Sequence, residues 1–174
     1  MNLKQHLKQR HLNSRLHNPI LNQDLEVVTF LLYNLSGQIV GFQQYRPNGS
    51  KSKKNDPREG RYFTFHRKQT VAVFGVESLH LTPDVVFVTE GIFDAARLTN
   101  RGVSALAVLS NNPNQDCKNF LKSLGRKIVV VCDNDIAGKQ LANCGDVAIF
   151  TKDKDLGECS EQYVSDIIKE FLAL

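Results

Sequence analysis

Two short acidic clusters follow two apolar runs of the sequence. Glu90 comes directly after the run Val85–Thr89. Asp133 and Asp135 follow the run Lys127–Cys132. Each run has the composition of a buried strand, so each delivers carboxylates to the C-terminal end of a strand. Carboxylates at neighbouring strand ends repel one another unless a cation lies between them, and Mg²⁺, with Mn²⁺ as a substitute, prefers such oxygen ligands. The pattern predicts a metal site for phosphoryl chemistry.

Two further acidic features lie near these clusters. Asp94 comes four residues after Glu90, in the predicted first turn of the following helix, where the helix dipole favours a negative charge. Another acidic loop, which contains Asp153 and Asp155, follows the last predicted strand. The sequence therefore predicts three acidic loops at one edge of a single sheet.

A structural role competes with the metal role for some of these side chains. A carboxylate after a buried strand often caps a helix, and this explains Asp133 or Asp135 equally well when either is taken alone. Glutamate is a poor N-cap, so Glu90 is harder to explain in that way. The three loops together favour the metal site.

The elements around these loops predict an α/β fold in two parts. In residues 83–174, strands alternate with helices, which is typical of a parallel sheet with crossover helices on its faces. The predicted strands are Val85–Thr89, 105–109, Lys127–Cys132 and Val147–Phe150, and the predicted helices are 93–101, 115–124, 137–143 and 160–172. Residues 1–82 predict a small mixed α+β subdomain, with a helix over 1–18 ended by Pro19 and strands over 26–35, 38–45, 61–65 and 71–74.

The net charge of +4 on 174 residues is unevenly distributed. Residues 1–82 carry 12 Lys and Arg against 5 Asp and Glu, whereas residues 83–174 carry 10 against 13. A basic half beside an acidic half suits a protein that binds a polyanion and a metal, although ordinary surface charge explains it equally well. The four cysteines form no C-x-x-C pair, which argues against a structural zinc site. With no predicted membrane span or secretory signal, we expect a cytoplasmic protein.

The acidic motifs resemble a known family. Thr-Glu-Gly-Ile-Phe-Asp-Ala-Ala at 89–96 and Asp-Asn-Asp-Ile-Ala-Gly at 133–138 are similar to the Toprim domain of primases, topoisomerases and some small nucleases. They are most similar to the catalytic core of bacterial and phage DnaG-type primases. The resemblance covers about residues 84–160 and implies a Rossmann-like parallel sheet. It also implies that Mg²⁺ binds at the catalytic residues Glu90, Asp133 and Asp135, with further metal-site roles for Asp94 and Asp155. Asp153 is the competing match for Asp155.

The basic half is similar to the subdomain that precedes Toprim in primases, although these matches are weaker. The candidate nucleic-acid or nucleotide-binding residues are Arg46, Lys51, Lys53, Lys54, Arg61, Arg67 and Lys68. Tyr45, Tyr62, Phe63 and Phe65 could stack on bases. For Phe63 and Phe65 a core position is favoured, because their i, i+2 spacing places them on one face of a strand.

The leading functional prediction is a primase-like nucleotidyltransferase that synthesises RNA primers in phage or mobile-element replication. Its expected partners are a single-stranded DNA template and NTPs, with a replicative helicase or a separate zinc-containing template-recognition subunit, because this chain has no room for those modules. One alternative is a small metal-dependent Toprim nuclease of the RNase M5-like group. Another is a non-catalytic, nucleic-acid-binding replication accessory. The motifs leave synthesis and cleavage open, since the same carboxylates serve both.

Overall fold

The computed structural model describes residues 1–51, 56–152, 155–157 and 159–172. Six α-helices and eight strands lie in these ranges. The first half contains α1 (Leu3–Gln9), α2 (Ser14–His17), β1 (Ile20–Asn22), β2 (Val27–Tyr33), β3 (Ile39–Tyr45) and β4 (Tyr62–His66). The second half contains β5 (Val85–Thr89), α3 (Ile92–Thr99), β6 (Ala105–Ala107), α4 (Gln115–Ser123), β7 (Lys127–Cys132), α5 (Ile136–Leu141), β8 (Val147–Phe150) and α6 (Glu161–Leu172).

The single N-terminal helix predicted over 1–18 is wrong, because two short helices occupy this segment. The backbone turns at His11, whose φ of 58° lies in the left-handed region. Asn13 then caps α2, and its side chain accepts hydrogen bonds from the backbone of Arg15 and Leu16. Asparagine is one of the preferred N-cap residues, so it starts a new helix here rather than continuing the old one.

The N-terminal strands form an antiparallel sheet in the order β1-β2-β3-β4. The predicted β2–β3 hairpin is confirmed, and Leu31 lies opposite Phe42 in its register. The sequence analysis missed the three-residue strand β1. The strand predicted over 71–74 is wrong. Instead, Val73 bridges Tyr33 at the edge of this sheet, and the neighbouring Phe74 bridges Ala107 of the second sheet.

A glycine directly follows this bridge between the sheets. Gly75 has a φ of 97°, in the left-handed region that favours glycine. A Cβ atom at this position would lie only 2.3 Å from the carbonyl oxygen of Ala105. The turn and the close approach to β6 therefore both require glycine, and together they fix how the first half meets the second.

The second sheet is parallel, in the order β6-β5-β7-β8. The predicted α/β architecture is confirmed, and helix and strand ends differ from the predicted ones by a few residues. After β5 the chain moves to one side to form β6, and it then returns to place β7 on the other side. The gap between the C-terminal ends of β5 and β7 is therefore a topological switch point, where ligands bind in open α/β sheets.

Both faces of the parallel sheet are covered, which explains its continuous apolar strands. Val86, Val88 and Val130 pack towards α4 and α5. On the opposite face, Phe87 and Val131 belong to a core shared with α1, α3, α6 and the inner face of the antiparallel sheet. Within the described residues, no helix is both long and apolar enough to cross a membrane.

The antiparallel sheet contacts the parallel half through aromatic side chains at the start of α3. The ring of Phe93 lies 4.9 Å from that of Tyr45 and 5.9 Å from that of Phe30, both in edge-to-face geometry. Such pairs add about 0.5–1.5 kcal/mol each beyond the burial of their area. Because Phe93 precedes Asp94, this contact places the basic subdomain directly beside the acidic loops.

Candidate active site

A cavity of about 360 Å³ lies at the topological switch point and gathers four of the predicted metal-site residues. Glu90 follows β5, Asp133 follows β7, Asp94 lies in the first turn of α3, and Asp155 comes from the loop after β8. The C-terminal ends of the parallel strands β5, β7 and β8 lie at the same edge of the sheet, and this topology brings together carboxylates that are up to 65 residues apart in sequence. Asp153, the competing candidate, lies outside the described residues.

The glycine of the second motif is required by a close approach between two backbone segments. A Cβ atom on Gly138 would lie 2.0 Å from the backbone oxygen of Asp133. The side chain of Asp135 caps α5, and its Oδ1 accepts a 2.8 Å hydrogen bond from the Gly138 N–H. The tight turn from 133 to 138 therefore fixes where the carboxylate of Asp133 enters the cavity.

Asp135 does not line this cavity in the structure. It is exposed and acts as the N-cap of α5, which is the structural role that the sequence analysis left open for it. Its charge nevertheless acts on the site: burial raises the pKa of Glu90 above its ordinary value, and the negative charge of Asp135 raises it further. A metal role for Asp135 remains a prediction.

Asp94 is the most perturbed carboxyl group of the site. Burial, together with the negative charges of Asp133 and Asp155, raises its pKa from the ordinary 3.8 to about 7. Two weaker effects oppose this shift, namely the positive charge of Arg10 and a hydrogen bond from the backbone N–H of Gly157. Unbalanced negative charge thus accumulates around Asp94 when the neighbouring carboxylates are ionised.

The donor set fits a hard divalent cation such as Mg²⁺. All four cavity residues offer carboxylate oxygens, the ligand type that Mg²⁺ prefers. Burial is the larger cause of the raised pKa values of Glu90 and Asp94, and the negative charges of Asp133, Asp135 and Asp155 add to it. A bound cation would offset both effects, because it favours the ionised carboxylates. Among the described residues, no three His, Cys, Asp or Glu side chains are close enough to form a ready-made ligand set, so binding would require the carboxylates to approach one another.

A buried arginine, which the sequence analysis missed, holds the acidic loop that carries Asp155. Arg97 lies one turn after Asp94 on α3, and its side chain is only 4% exposed. It donates hydrogen bonds to the backbone oxygens of Leu156 and Cys159, and it lies 3.0 Å from Glu161. Helix α3 therefore carries both Asp94, a carboxylate of the site, and Arg97, which holds the loop that contains Asp155.

Replacing Arg97 with methionine should destabilise the protein by about 2 kcal/mol, because two buried carbonyl oxygens would lose their donor. Urea unfolding measures this change. Arg101→Met is the matched control, because Arg101 pairs with the same Glu161 but is 35% exposed, so its loss should cost less than 1 kcal/mol. Equal effects of the two variants would contradict the assigned role of Arg97.

Residues of the basic subdomain line the cavity together with the carboxylates. Arg10, at the end of α1, lines the cavity together with Gln43 and Tyr62. Its guanidinium carbon lies 4.1 Å from the centroid of the Phe93 ring, a cation–π contact that fixes the side chain in place. Arg10 was not predicted from the sequence, because its place in the cavity depends on its contact with Phe93, which is distant along the chain.

The predicted nucleic-acid-binding residues lie elsewhere on the subdomain. Lys51, Arg67 and Lys68 are exposed. The side chain of Arg46 donates a 3.1 Å hydrogen bond to Gln44, and that of Arg61 donates a 2.9 Å hydrogen bond to the backbone oxygen of Gly49. Among the residues that the structure describes, these five are not part of the cavity lining. Lys53 and Lys54 lie outside the described residues. A nucleic-acid-binding role for all seven of these basic residues remains a prediction.

No protein-family model and no curated protein sequence matches the chain. Solved structures of primases do resemble it. The DnaG catalytic core is 16% identical, with a TM-score of 0.66 over 95% of this chain and 72% of that one. The Aquifex aeolicus primase structure with zinc-binding and RNA polymerase domains is 20% identical, with a TM-score of 0.63 over 97% of this chain and 45% of that one.

A third similar structure is that of a DnaG primase catalytic domain bound to single-stranded DNA. It is 17% identical, with a TM-score of 0.60 over 95% of this chain and 60% of that one. The chain thus spans between 45% and 72% of the length of these three structures. The similarity extends over nearly all of this chain, including both the antiparallel sheet and the parallel sheet. The chain therefore has the Toprim-containing fold of the catalytic core of DnaG-type primases.

Proposed function

We propose that the chain is a primase-like nucleotidyltransferase that joins NTPs on a single-stranded DNA template in a Mg²⁺-dependent reaction. The observation that carries this proposal is the cavity at the switch point, which is lined by groups of both charges. Glu90, Asp94, Asp133 and Asp155 line it together with Arg10, which contacts the ring of Phe93. A nucleotide triphosphate complements both kinds of group, because its phosphate oxygens can bind an arginine and its associated cation can bind carboxylates.

Each residue of the cavity has a defined role in this proposal. Glu90, Asp94, Asp133 and Asp155 would hold Mg²⁺. When bound, the metal would supply charge neutralisation and orientation for the reacting phosphates. Arg10 would bind phosphate oxygens that face away from the carboxylates, because a guanidinium donates charge-assisted hydrogen bonds in a fixed planar geometry. Arg97 would keep the Asp155 loop in position.

Primer synthesis on single-stranded DNA with labelled NTPs and Mg²⁺ tests this function. Extended products that disappear in EDTA are expected. The same incubation, with end-labelled DNA and RNA, tests the alternatives: shortened products would favour a Toprim nuclease. Metal-independent binding without any turnover would favour a non-catalytic accessory and contradict the proposal.

Arg10 provides a sharper prediction about this mechanism. Arg10→Gln should raise the KM for NTP about tenfold, because a charge-assisted hydrogen bond contributes about 1.5–3 kcal/mol. The KM of Arg10→Lys should lie between that of the wild type and that of Arg10→Gln, because lysine keeps the charge but loses the planar contact with Phe93. Steady-state kinetics measure both.

The matched control for Arg10 is Arg15→Gln, which removes the same charge from an exposed residue of α2. Its KM for NTP should stay unchanged. Binding of Mg²⁺ alone, measured by calorimetry, should survive in Arg10→Gln, since the cation does not require this side chain. An unchanged KM for NTP in Arg10→Gln would remove Arg10 from the proposed site.

A further inference from the structure

The antiparallel sheet has an outer face that carries partly exposed aromatic side chains. Phe30 and Tyr45 point inward to the shared core. On the other face, Phe42 of β3 and Phe63 of β4 are partly exposed, and Phe65 of β4 is 56% exposed. The core position expected for Phe63 and Phe65 is therefore wrong. The i, i+2 spacing does place them on one face, but that face is directed to solvent.

The three rings form one cluster. Phe42 lies opposite Phe65 in the β3–β4 register, with ring centroids 5.6 Å apart. The centroids of Phe42 and Phe63 are 6.1 Å apart. Alternate residues of a strand are roughly 7 Å apart, about twice the 3.4 Å rise between stacked bases of duplex DNA. An extended single strand, whose bases are separated from one another, matches this spacing better than a stacked one.

Basic residues continue this face beyond both ends of β4. Strand alternation places Arg61 and Arg67 on the same face as Phe63 and Phe65. The ladder extends to both arginines, because the backbone oxygen of Arg61 accepts a hydrogen bond from Arg46, and the backbone N–H of Arg67 donates to Val40. The four strands themselves contain no acidic residue. The face thus combines partly exposed aromatic rings within the strands with basic residues beyond the ends of β4.

We propose that this outer face, formed by Phe42, Phe63 and Phe65 with Arg67 at its end, binds single-stranded nucleic acid by stacking bases on the rings. Aromatic rings stack on any base, and arginines at the ends of the strand neutralise backbone phosphates. The assignment deepens the proposed function, on which it rests, by giving the template a track separate from the acidic cavity. A protein partner is disfavoured, because the combination of aromatic rings with neighbouring basic side chains is complementary to a polyanion.

Fluorescence anisotropy of a labelled single-stranded oligothymidylate, measured in EDTA, tests this site without involving the metal. The double variant Phe63→Ala, Phe65→Ala should weaken binding at least about tenfold, because each stacked base loses its partner. Leu25→Ala is the matched control: Leu25 is 71% exposed but lies in the turn before β2, and its loss should not change binding. Unchanged melting temperatures would show that the variants are folded.

Two further variants separate base stacking from other kinds of contact. Phe65→Leu keeps an apolar side chain but removes the flat ring, so it should weaken DNA binding about fivefold. Arg67→Gln should reduce the slope of log affinity against log salt by about 0.7, the value for one phosphate contact of a single strand. Lys122→Gln removes the same charge from exposed α4 and should leave the slope unchanged.

The outcomes distinguish this inference from the proposed function. Loss of oligothymidylate binding in the double variant supports the outer face, whether or not the wild-type protein makes primers. Wild-type primer synthesis together with full binding by the double variant would overturn the outer face and leave the proposed function standing. If Phe65→Leu binds like the wild type, or if the double variant loses only self-association in sedimentation, the face is a protein interface and the inference is wrong.

Discussion

Asp133→Asn is expected to reduce metal-dependent nucleotidyl transfer about a thousandfold. Asp133 directly follows β7, one of the two inner strands of the parallel sheet, and lines the cavity together with Glu90 and Asp94. Asparagine has nearly the same size but lacks the negative charge that a divalent cation requires. A bound metal stabilises the transition state by several kcal/mol, and about 4 kcal/mol corresponds to a thousandfold change in rate. Initial rates of primer extension at saturating Mg²⁺ measure the loss.

The same variant has a second readout that does not require turnover. The negative charge of Asp133 contributes to the raised pKa of Asp94, so Asp133→Asn should move that pKa back towards its ordinary value. NMR titration of the metal-free protein would show the shift. Asp116→Asn, in the first turn of α4, is the matched control and should change neither the rate nor the pKa. Substantial activity in Asp133→Asn would contradict the proposed site.

The metal-free protein should lose stability as the pH rises from 3.8 to about 7, the window between the ordinary and the folded-state pKa of Asp94. In the unfolded chain, Asp94 ionises near its ordinary value. In the folded chain it keeps its proton up to about pH 7. The folded state therefore binds more protons across this window, so the stability contribution is complete below 3.8 and is lost above about 7. The expected total is a few kcal/mol.

Urea unfolding in EDTA across this pH range measures the effect. Asp94→Asn carries no titrating group at this position, so its stability should change less with pH than that of the wild type. Asp116→Asn should keep the wild-type slope. Added Mg²⁺ should flatten the wild-type slope, because a bound cation favours the ionised carboxylates. Identical slopes for the wild type and Asp94→Asn in EDTA would contradict the raised pKa.

The local pattern predicted the parallel half of the fold well. Its strands are apolar throughout because both faces are covered, and each is followed by a helix of clear periodicity. The errors lie in the basic half, where local signals compete. Asn13 caps a new helix within a leucine pattern that is continuous in the sequence. Val73 and Phe74 each make a single bridge to a different sheet instead of extending one strand. Such features depend on caps and on contacts between distant segments, which a hydrophobic period does not contain.

The sequence by itself determined the identity of the acidic residues and their positions at the ends of strands. The reason is local: an apolar run, a carboxylate and a glycine such as Gly138 together specify a buried strand, a charged tip and a tight turn. The tertiary structure decided which of these groups share a cavity. It placed Asp94, Asp133 and Asp155 together and assigned Asp135 to a helix cap.

Only the tertiary structure could reveal the groups that face the carboxylates and the surface that faces solvent. Arg10 reaches the cavity where its guanidinium lies against the ring of Phe93, and Phe65 is exposed because the opposite face of its sheet fills the core. Strand alternation specifies that residues share a face, but it does not specify which face is buried. The buried face is the one against which other elements pack. Here Phe93 of α3 packs against Phe30 and Tyr45, so their face of the sheet is buried.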